Sequence, residues 1–334
     1  DTHRPDTPSP RQTRFSILAA PLYLQQTGRR MMKSPSGVWP VAPTPFHDDG
    51  SLDLDGMKRA LDCMVDQGVD GICILANFSE QFLISDAERA ILTRLCLEHI
   101  AGRVPVIVTI SHFATPLVVA RAHEAKALGA SAVMMMPPYH GALLKGTPEQ
   151  TFEQFRAVGA VGIPIMLQDA PLSGVDLPVA LLARMAREIE MLTLFKIECA
   201  GTASKLRALL AEAGTAIEGP FDGEEGISLL ADLDAGARGC MTSAMIPDLI
   251  GPVVRHWLAG AQDKAAAGYA RILPAINHEN RQCGFRAAKV AMVAGGVFHS
   301  AYCRHPIAPL PAPTATMLLN LLAPLDPVVL KWGK

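Results

Sequence analysis

The sequence predicts an α/β chain folded as a (β/α)8 (TIM) barrel with a C-terminal helical appendage, and three observations carry that reading. From Gly37 onward, short apolar runs rich in β-formers precede amphipathic stretches with charge on one face, and the unit recurs eight times. The runs are apolar throughout rather than alternating, as in strands buried on both faces of a parallel sheet. Eight regular units favour a closed barrel over an open doubly wound sheet. Neither GxGxxG nor GxxxxGK(S/T) follows any of the runs, which argues against dinucleotide and P-loop folds.

The elements follow in order. Residues 1–36 are rich in Arg, Ser, Pro and Gln, with no acid between Asp6 and Asp48, and read as a disordered extension or an Arg-rich leader. The barrel is expected over 37–260. Its strand candidates are Val38–Thr44, Gly71–Asn77, Pro105–Ser111, Ala132–Pro138, Pro164–Asp169, Leu192–Glu198, Ala216–Gly219 and Gly239–Ser243. The helix candidates between them are Leu54–Gln67, Asp86–Ile100, Pro116–Leu128, Pro148–Val158, Leu177–Ile189 and Thr202–Glu212. Ser85 and Thr147 stand where N-caps belong, the second followed by Pro148 at the first helical position. Gly68, Gly102, Gly129 and Gly214 follow helices, where a left-handed residue closes the last turn. Beyond about residue 261 the strand pattern stops, and Ala261–Gln282, Arg286–Ala294 and Thr314–Leu322 form the helical region 261–334.

Composition narrows the function classes. Thirty basic and 32 acidic residues leave a net charge of −2, too little for a nucleic-acid field, and no basic stripe appears. No apolar run approaches the roughly 18–20 residues that span a bilayer. Seven cysteines lie scattered with no CxxC pair, which suits reduced thiols in a cytoplasmic enzyme better than a disulfide framework or zinc site.

The sharpest chemical feature is Lys196, set in the apolar run Leu192-Thr-Leu-Phe-Lys196-Ile-Glu198. Residues two apart on a strand share a face, so Lys196 and Glu198 point the same way. In a barrel lumen, desolvation is expected to lower the lysine pKa and free an amine able to attack a ketone. The bland alternative is a lysine that snorkels or merely pairs with Glu198. Other expected strand ends carry Asn77 and Ser79, Tyr139 and His140, and Gln168 and Asp169, each with its own structural explanation as a cap, turn, plug or loop tie. Glu218, Asp222, Glu224 and Glu225 suggest either a metal site or, preferably, carboxylates at a helix start. Asn277-His-Glu-Asn-Arg281 reads as a solvated or interface face rather than a site.

The order of these segments resembles the dihydrodipicolinate synthase / N-acetylneuraminate lyase family of Schiff-base barrels, from about Gly37 to the C-terminus. Lys196 falls where that family keeps its imine-forming lysine. Three family motifs are altered here, to Ala76-Asn77-Phe78-Ser79-Glu80, Tyr139-His140 and Gln168-Asp169-Ala170-Pro171. The family's threonine and two tyrosines, one from a neighbouring subunit, thus match Asn77, Gln168 and His140. Leu172-Ser173-Gly174 stands where the family keeps an arginine for a distal carboxylate, so a substrate ending in an alcohol fits better. The altered blocks, with Phe-Lys-Ile-Glu (195–198), residues 218–225 and residues 277–282, resemble most a dehydratase group within the family that acts on 2-keto-3-deoxy-L-arabonate.

What the resemblance implies is a cytoplasmic hydro-lyase of sugar-acid catabolism that releases 2-oxoglutarate semialdehyde. Lys196 would form the imine. His140, Gln168 with its water, and Tyr139 would handle protons. The loop at Asn77, Phe78 and Ser79 would hold the C1 carboxylate, and Glu198 would meet terminal hydroxyls or hold Lys196. No metal or organic cofactor is expected. The partner is a small 2-keto-3-deoxy sugar acid, with neither nucleic acid nor membrane, and the assembly a homotetramer built as a dimer of dimers. The rivals are a class I aldolase of a 4-hydroxy-2-oxo acid, a pyrroline-4-hydroxy-2-carboxylate deaminase, and a sugar-acid sensor without turnover.

Overall fold

A computed structural model describes residues 35–141, 143–170 and 173–334. The expectations for residues 1–34, Pro171 and Leu172 therefore lie outside the described residues. Eight strands are hydrogen-bonded in parallel: β1 (Gly37–Val38), β2 (Ile72–Ile74), β3 (Val106–Thr109), β4 (Ala132–Met135), β7 (Ile165–Asp169), β8 (Leu192–Ile197), β9 (Gly219–Asp222) and β10 (Gly239–Cys240). Their spatial order is β1-β10-β9-β8-β7-β4-β3-β2, and the two ends meet through a parallel bridge from Val41 to Cys73. A separate antiparallel hairpin, β5 (Tyr139–His140) with β6 (Leu144–Lys145), follows β4.

Helices α1 (Leu54–Asp66), α2 (Asp86–Ile100), α3 (Thr115–Ala127), α4 (Pro148–Gly159), α5 (Val179–Glu188), α6 (Thr202–Ala213), α7 (Leu229–Asp234) and α8 (Pro247–Leu258) alternate with the strands. Their apolar faces cover the outer strand faces, with Leu61, Leu92, Phe155, Leu182 and Leu206 wholly or almost wholly buried in one continuous core. Both expected caps form. Ser85 accepts from the Glu88 amide while Glu88 reaches back, and Thr147 does the same with Gln150, each such cap contributing about 1 kcal/mol.

Two strand expectations shift, for local reasons. The first run is cut short at Val38 because Pro40, Pro43 and Pro45 lack ladder donors, leaving only the Val41 bridges. The seventh strand is Gly219–Asp222 rather than Ala216–Gly219, because Gly214–Ala216 is a 3-10 turn. Pro220 sits within that strand, and its carbonyl still accepts from the Arg238 amide.

The C-terminal helices are α9 (Gln262–His278), α10 (Arg286–Ala294) and α11 (Ala312–Leu322), with a π-turn at Glu279–Cys283 between the first two. They return to the barrel at several points. Tyr269 donates to the carbonyls of Gly226 and Ile227, Arg304 pairs with Glu88 at the start of α2, and the Val328 amide donates to Asp248 on α8. All seven cysteines are free.

Candidate active site

Lys196 lies on β8 in register with Gln168 on β7 and Phe221 on β9, so the three occupy matching positions on neighbouring strands. Both Lys196 and Gln168 are buried. The lysine Nζ lies 2.9 Å from Glu198 Oε2, and Gln168 Nε2 donates to that same oxygen at 2.8 Å. Gln168 Oε1 is buried with no hydrogen-bond partner among the described residues, leaving an acceptor for a ligand. Gly223 lets the loop after β9 cross this group: a Cβ there would come within 2.9 Å of Glu198 Cβ and 3.0 Å of Lys196 Cγ.

The charge state departs from the sequence expectation. Burial, the largest influence, does favour the neutral amine. The carboxylates of Glu198 and Glu225 outweigh it, however, and hold the Lys196 ammonium above its ordinary range. A carboxylate therefore stands 2.9 Å from the lysine nitrogen, within reach of its proton.

Glu225 is the second acid of this neighbourhood. It is buried in a left-handed conformation (φ 55°) and accepts a 3.1 Å hydrogen bond from Asn280 Nδ2 of the π-turn. Burial pushes its carboxyl well above the usual range, against the pull of Lys196. Glu279 is fully enclosed and pushed up to about 8 by burial. Asp222 accepts from Cys240 Sγ at 2.9 Å and is pushed up to about 8, by burial first and then by Asp232. Two sequence readings are overturned here. Asp222 and Glu225 are not exposed carboxylates at a helix start, since Asp222 ends a strand and the next helix begins at Leu229. Segment 277–281 is not wholly a solvated face, since Glu279 is enclosed and Asn280 bonds to Glu225. Among the described residues no group of three His, Cys, Asp or Glu side chains is placed to hold a metal ion.

The turn after β2 carries Asn77, Phe78 and Ser79. The Ser79 hydroxyl donates to the Ala42 carbonyl at 2.6 Å and accepts from the Ala76 amide at 3.1 Å, while its own amide donates to the Ala76 carbonyl. Ser79 is thus a staple inside the loop, its hydroxyl and amide both engaged within the protein. Asn77 accepts from Gln81 Nε2 at 2.6 Å and its Nδ2 faces Met136 Sδ, and Phe78 stacks edge-on against Phe285. Thr44 Oγ1 donates to the Ser79 carbonyl and fixes the turn from below.

Tyr139 and His140, expected at the end of the fourth strand, are on the hairpin after β4. The Tyr139 hydroxyl is buried with no partner among the described residues, and burial raises its pKa. His140 is exposed, beside Phe113, at a cavity of about 530 Å3 that Gln81, Arg89, His112 and Arg121 also line. Lys196 does not line that cavity. The structure therefore brings together Lys196, Glu198 and Gln168, and places His140 at a separate cavity. Asp169 pairs with Lys205 on α6 at 2.6 Å, so its tie is to a helix rather than to the neighbouring loop expected.

Glu225, Asn280 and the buried pair Lys289–Glu80 were not picked out as acting groups from sequence. Lys289 gave the same signal as Lys196, a charge within an apolar run.

Residues 34–323 match the dihydrodipicolinate synthetase family. The chain is 55% identical over 298 residues to an L-2-keto-3-deoxyarabonate dehydratase of Azospirillum brasilense, covering 89% of this chain and 96% of that one. It is 31% identical over 275 residues to a 4-hydroxy-tetrahydrodipicolinate synthase of Gluconacetobacter diazotrophicus, covering 80% and 89% of the two chains. The crystal structure of a dihydrodipicolinate synthase from Rhodopseudomonas palustris superposes with a TM-score of 0.79 at 26% identity, over 87% of this chain and 98% of that one.

Proposed function

Because this chain belongs to the dihydrodipicolinate synthetase family, we propose that it is a lyase that dehydrates 2-keto-3-deoxy-L-arabonate to 2-oxoglutarate semialdehyde through an imine on Lys196. The observation that carries the chemistry is the enclosed Lys196 with Glu198 Oε2 at 2.9 Å.

Glu198 takes the ammonium proton, and the freed amine attacks the C2 ketone. Loss of water gives an iminium, whose positive nitrogen draws electrons from C3. A C3 proton leaves to form the enamine, and the electron pair returns to expel the C4 hydroxyl as water. Loss of a C5 proton and reprotonation at C3 give the C4–C5 enol, which tautomerises to the aldehyde. Hydrolysis of the iminium restores Lys196. The overall change is the loss of one water, so no oxidant or organic cofactor enters.

The remaining assignments follow from position. The amides of Asn77 and Phe78 head the turn after β2, where the first N–H groups of a helical turn lack intrahelical acceptors, and they receive the C1 carboxylate. Gln168 Oε1, without a partner, accepts from a substrate hydroxyl or holds the water that carries protons. Tyr139 and His140 serve the proton steps at a neighbouring copy's site rather than at their own. Phe82, Phe113, Leu143 and Leu144 are exposed around that hairpin, and a second copy covering them fits a homotetramer built as a dimer of dimers. No described helix is long and apolar enough to cross a membrane, and a cytoplasmic location is part of this proposal.

Borohydride with substrate tests the reading directly: the reduced adduct is expected on Lys196, and the product is expected to be a semialdehyde. Trapping on another lysine would overturn the imine. Pyruvate with an aldehyde would establish an aldolase instead, and release of ammonia from a pyrroline substrate would establish the deaminase.

A further inference from the structure

The C-terminal helix α10 sends one charged side chain into the barrel's catalytic end. Lys289 and Glu80 form an ion pair with both side chains wholly buried. Lys289 Nζ also donates to the Tyr302 carbonyl at 2.8 Å and lies 4.6 Å from the centre of the Phe46 ring. Arg304 stacks on the same ring and is itself held by Glu88.

Glu80 is the last residue of the turn that begins at Ala76, and the backbone there is unusual at both ends. Leu75 and Glu80 each adopt φ 59°, the left-handed region that disfavours any side chain. Non-glycine residues persist there only when their surroundings over-determine them. On one flank the turn is stapled by Ser79 to Ala42 and by Thr44 to Ser79. On the other flank the buried partner is Lys289. A buried ion pair gives little net stability compared with apolar residues of the same volume. What it supplies is direction: the Lys289 ammonium, with the Arg304 backbone and Cys303 beside it, orients the Glu80 carboxylate.

We propose that Lys289 is a positioning residue for substrate binding, its ion pair with Glu80 fixing the 76–80 turn in the shape that receives the substrate carboxylate. The proposal rests on the reading above that this turn holds the C1 carboxylate. It makes the C-terminal helical region part of the binding apparatus, 93 residues beyond the reacting lysine in sequence (289 − 196 = 93).

The test compares two ketones that differ only in that carboxylate, pyruvate and pyruvamide, by borohydride capture on Lys196 read as intact mass. Lys289→Met is expected to raise the half-saturating pyruvate concentration about tenfold or more, while pyruvamide stays within about twofold. For the sugar acid, KM is expected to rise by the same factor with kcat within about threefold. The double variant Glu80→Gln/Lys289→Met contains no unpaired buried charge, so it guards against a simple folding failure, and it is expected to repeat the pyruvate defect. Equal losses for both ketones, or wild-type pyruvate capture in the double variant, would overturn the positioning role. If the unaltered protein captures pyruvate no better than pyruvamide, the carboxylate reading of the turn fails first. If it captures neither on Lys196, the imine fails.

Discussion

Two buried lysine–glutamate pairs stand out among the described residues, and their difference matches the proposed division between a reacting lysine and a positioning one. Lys196 and Lys289 both interrupt apolar runs, both are almost or entirely buried, and both touch a glutamate. The Lys289–Glu80 pair is closed, with neither side chain exposed, and the lysine's remaining hydrogen bond goes to a backbone carbonyl. The Lys196–Glu198 pair is open on one side. Glu198 retains 21% of its side-chain surface, and Gln168 beside it has an unused acceptor. Burial by itself therefore does not mark a nucleophile. What distinguishes the pair proposed to react is a glutamate that keeps a solvent-facing side.

The largest expected effect comes from removing the open lysine. Lys196→Ala should lower kcat by about 10^4-fold or more, measured as semialdehyde release, with the denaturation midpoint little changed. Turnover near the wild-type level would dissolve the contrast between the two pairs. Next comes Glu198→Gln, which should reduce kcat about 100-fold by removing the group that accepts the ammonium proton. It should also move the rising limb of the pH profile for borohydride capture to lower pH, because Glu198 is one of the charges that raise the Lys196 pKa. A limb that stays in place would mean Glu225 alone sets the lysine's charge.

The closed pair should answer in stability instead. Glu80→Gln strands a buried ammonium and should cost about 3–5 kcal/mol in urea unfolding. Lys289→Met should cost less, since burial already pushes the Glu80 carboxyl up and the acid can take a proton once its cation is gone.

A smaller, pH-dependent effect belongs to the acids behind the open pair. Glu279 and Asp222 titrate near 8 when folded and near the ordinary carboxyl range when unfolded. From about pH 4 to 8 the folded chain holds protons that the unfolded chain has released, so stability should fall as pH rises across that window. Each retained proton contributes a slope of about 1.4 kcal/mol per pH unit. Glu279→Gln should flatten the melting-temperature profile between those limits, and an unchanged profile would mean Glu279 releases its proton much earlier. Least of all should come from the exposed pair Lys58–Asp55, which has nearly the same separation, 3.1 Å. Lys58→Ala should leave the urea midpoint unresolved from wild type, because water screens what burial concentrates.

Sequence was most informative where one physical rule dominated locally. Continuous apolar runs located seven of the eight barrel strands, and Ser85 and Thr147 marked helix starts because their hydroxyls have one obvious use there. The strand at Gly219–Asp222 escaped because a Gly-Pro pair ordinarily spells a turn, and only neighbouring strands override that. Lys196 stood out by its apolar flanks, yet its charge was misjudged. Glu198, two residues on, was seen but its pull was weighed too lightly against burial, and Glu225, 29 residues on (225 − 196 = 29), adds to it. The internal bonds of Ser79 were equally illegible: a hydroxyl in a loop looks unengaged until the Ala42 carbonyl is brought beside it. Long-range partners of this kind are set by packing, and local pattern carries no trace of them.

The cysteines described above have a practical use. Six are sealed within the fold and only Cys199 is half-open, directly after Glu198 in the chain. Burial, then the charge of Asp169, pushes its thiol up, so a maleimide reacts slowly there and more slowly still at the other six. A single fluorophore attached at that point would stand one residue along the chain from Glu198. It would give an optical trace of arriving and departing molecules without any change to the genetic sequence.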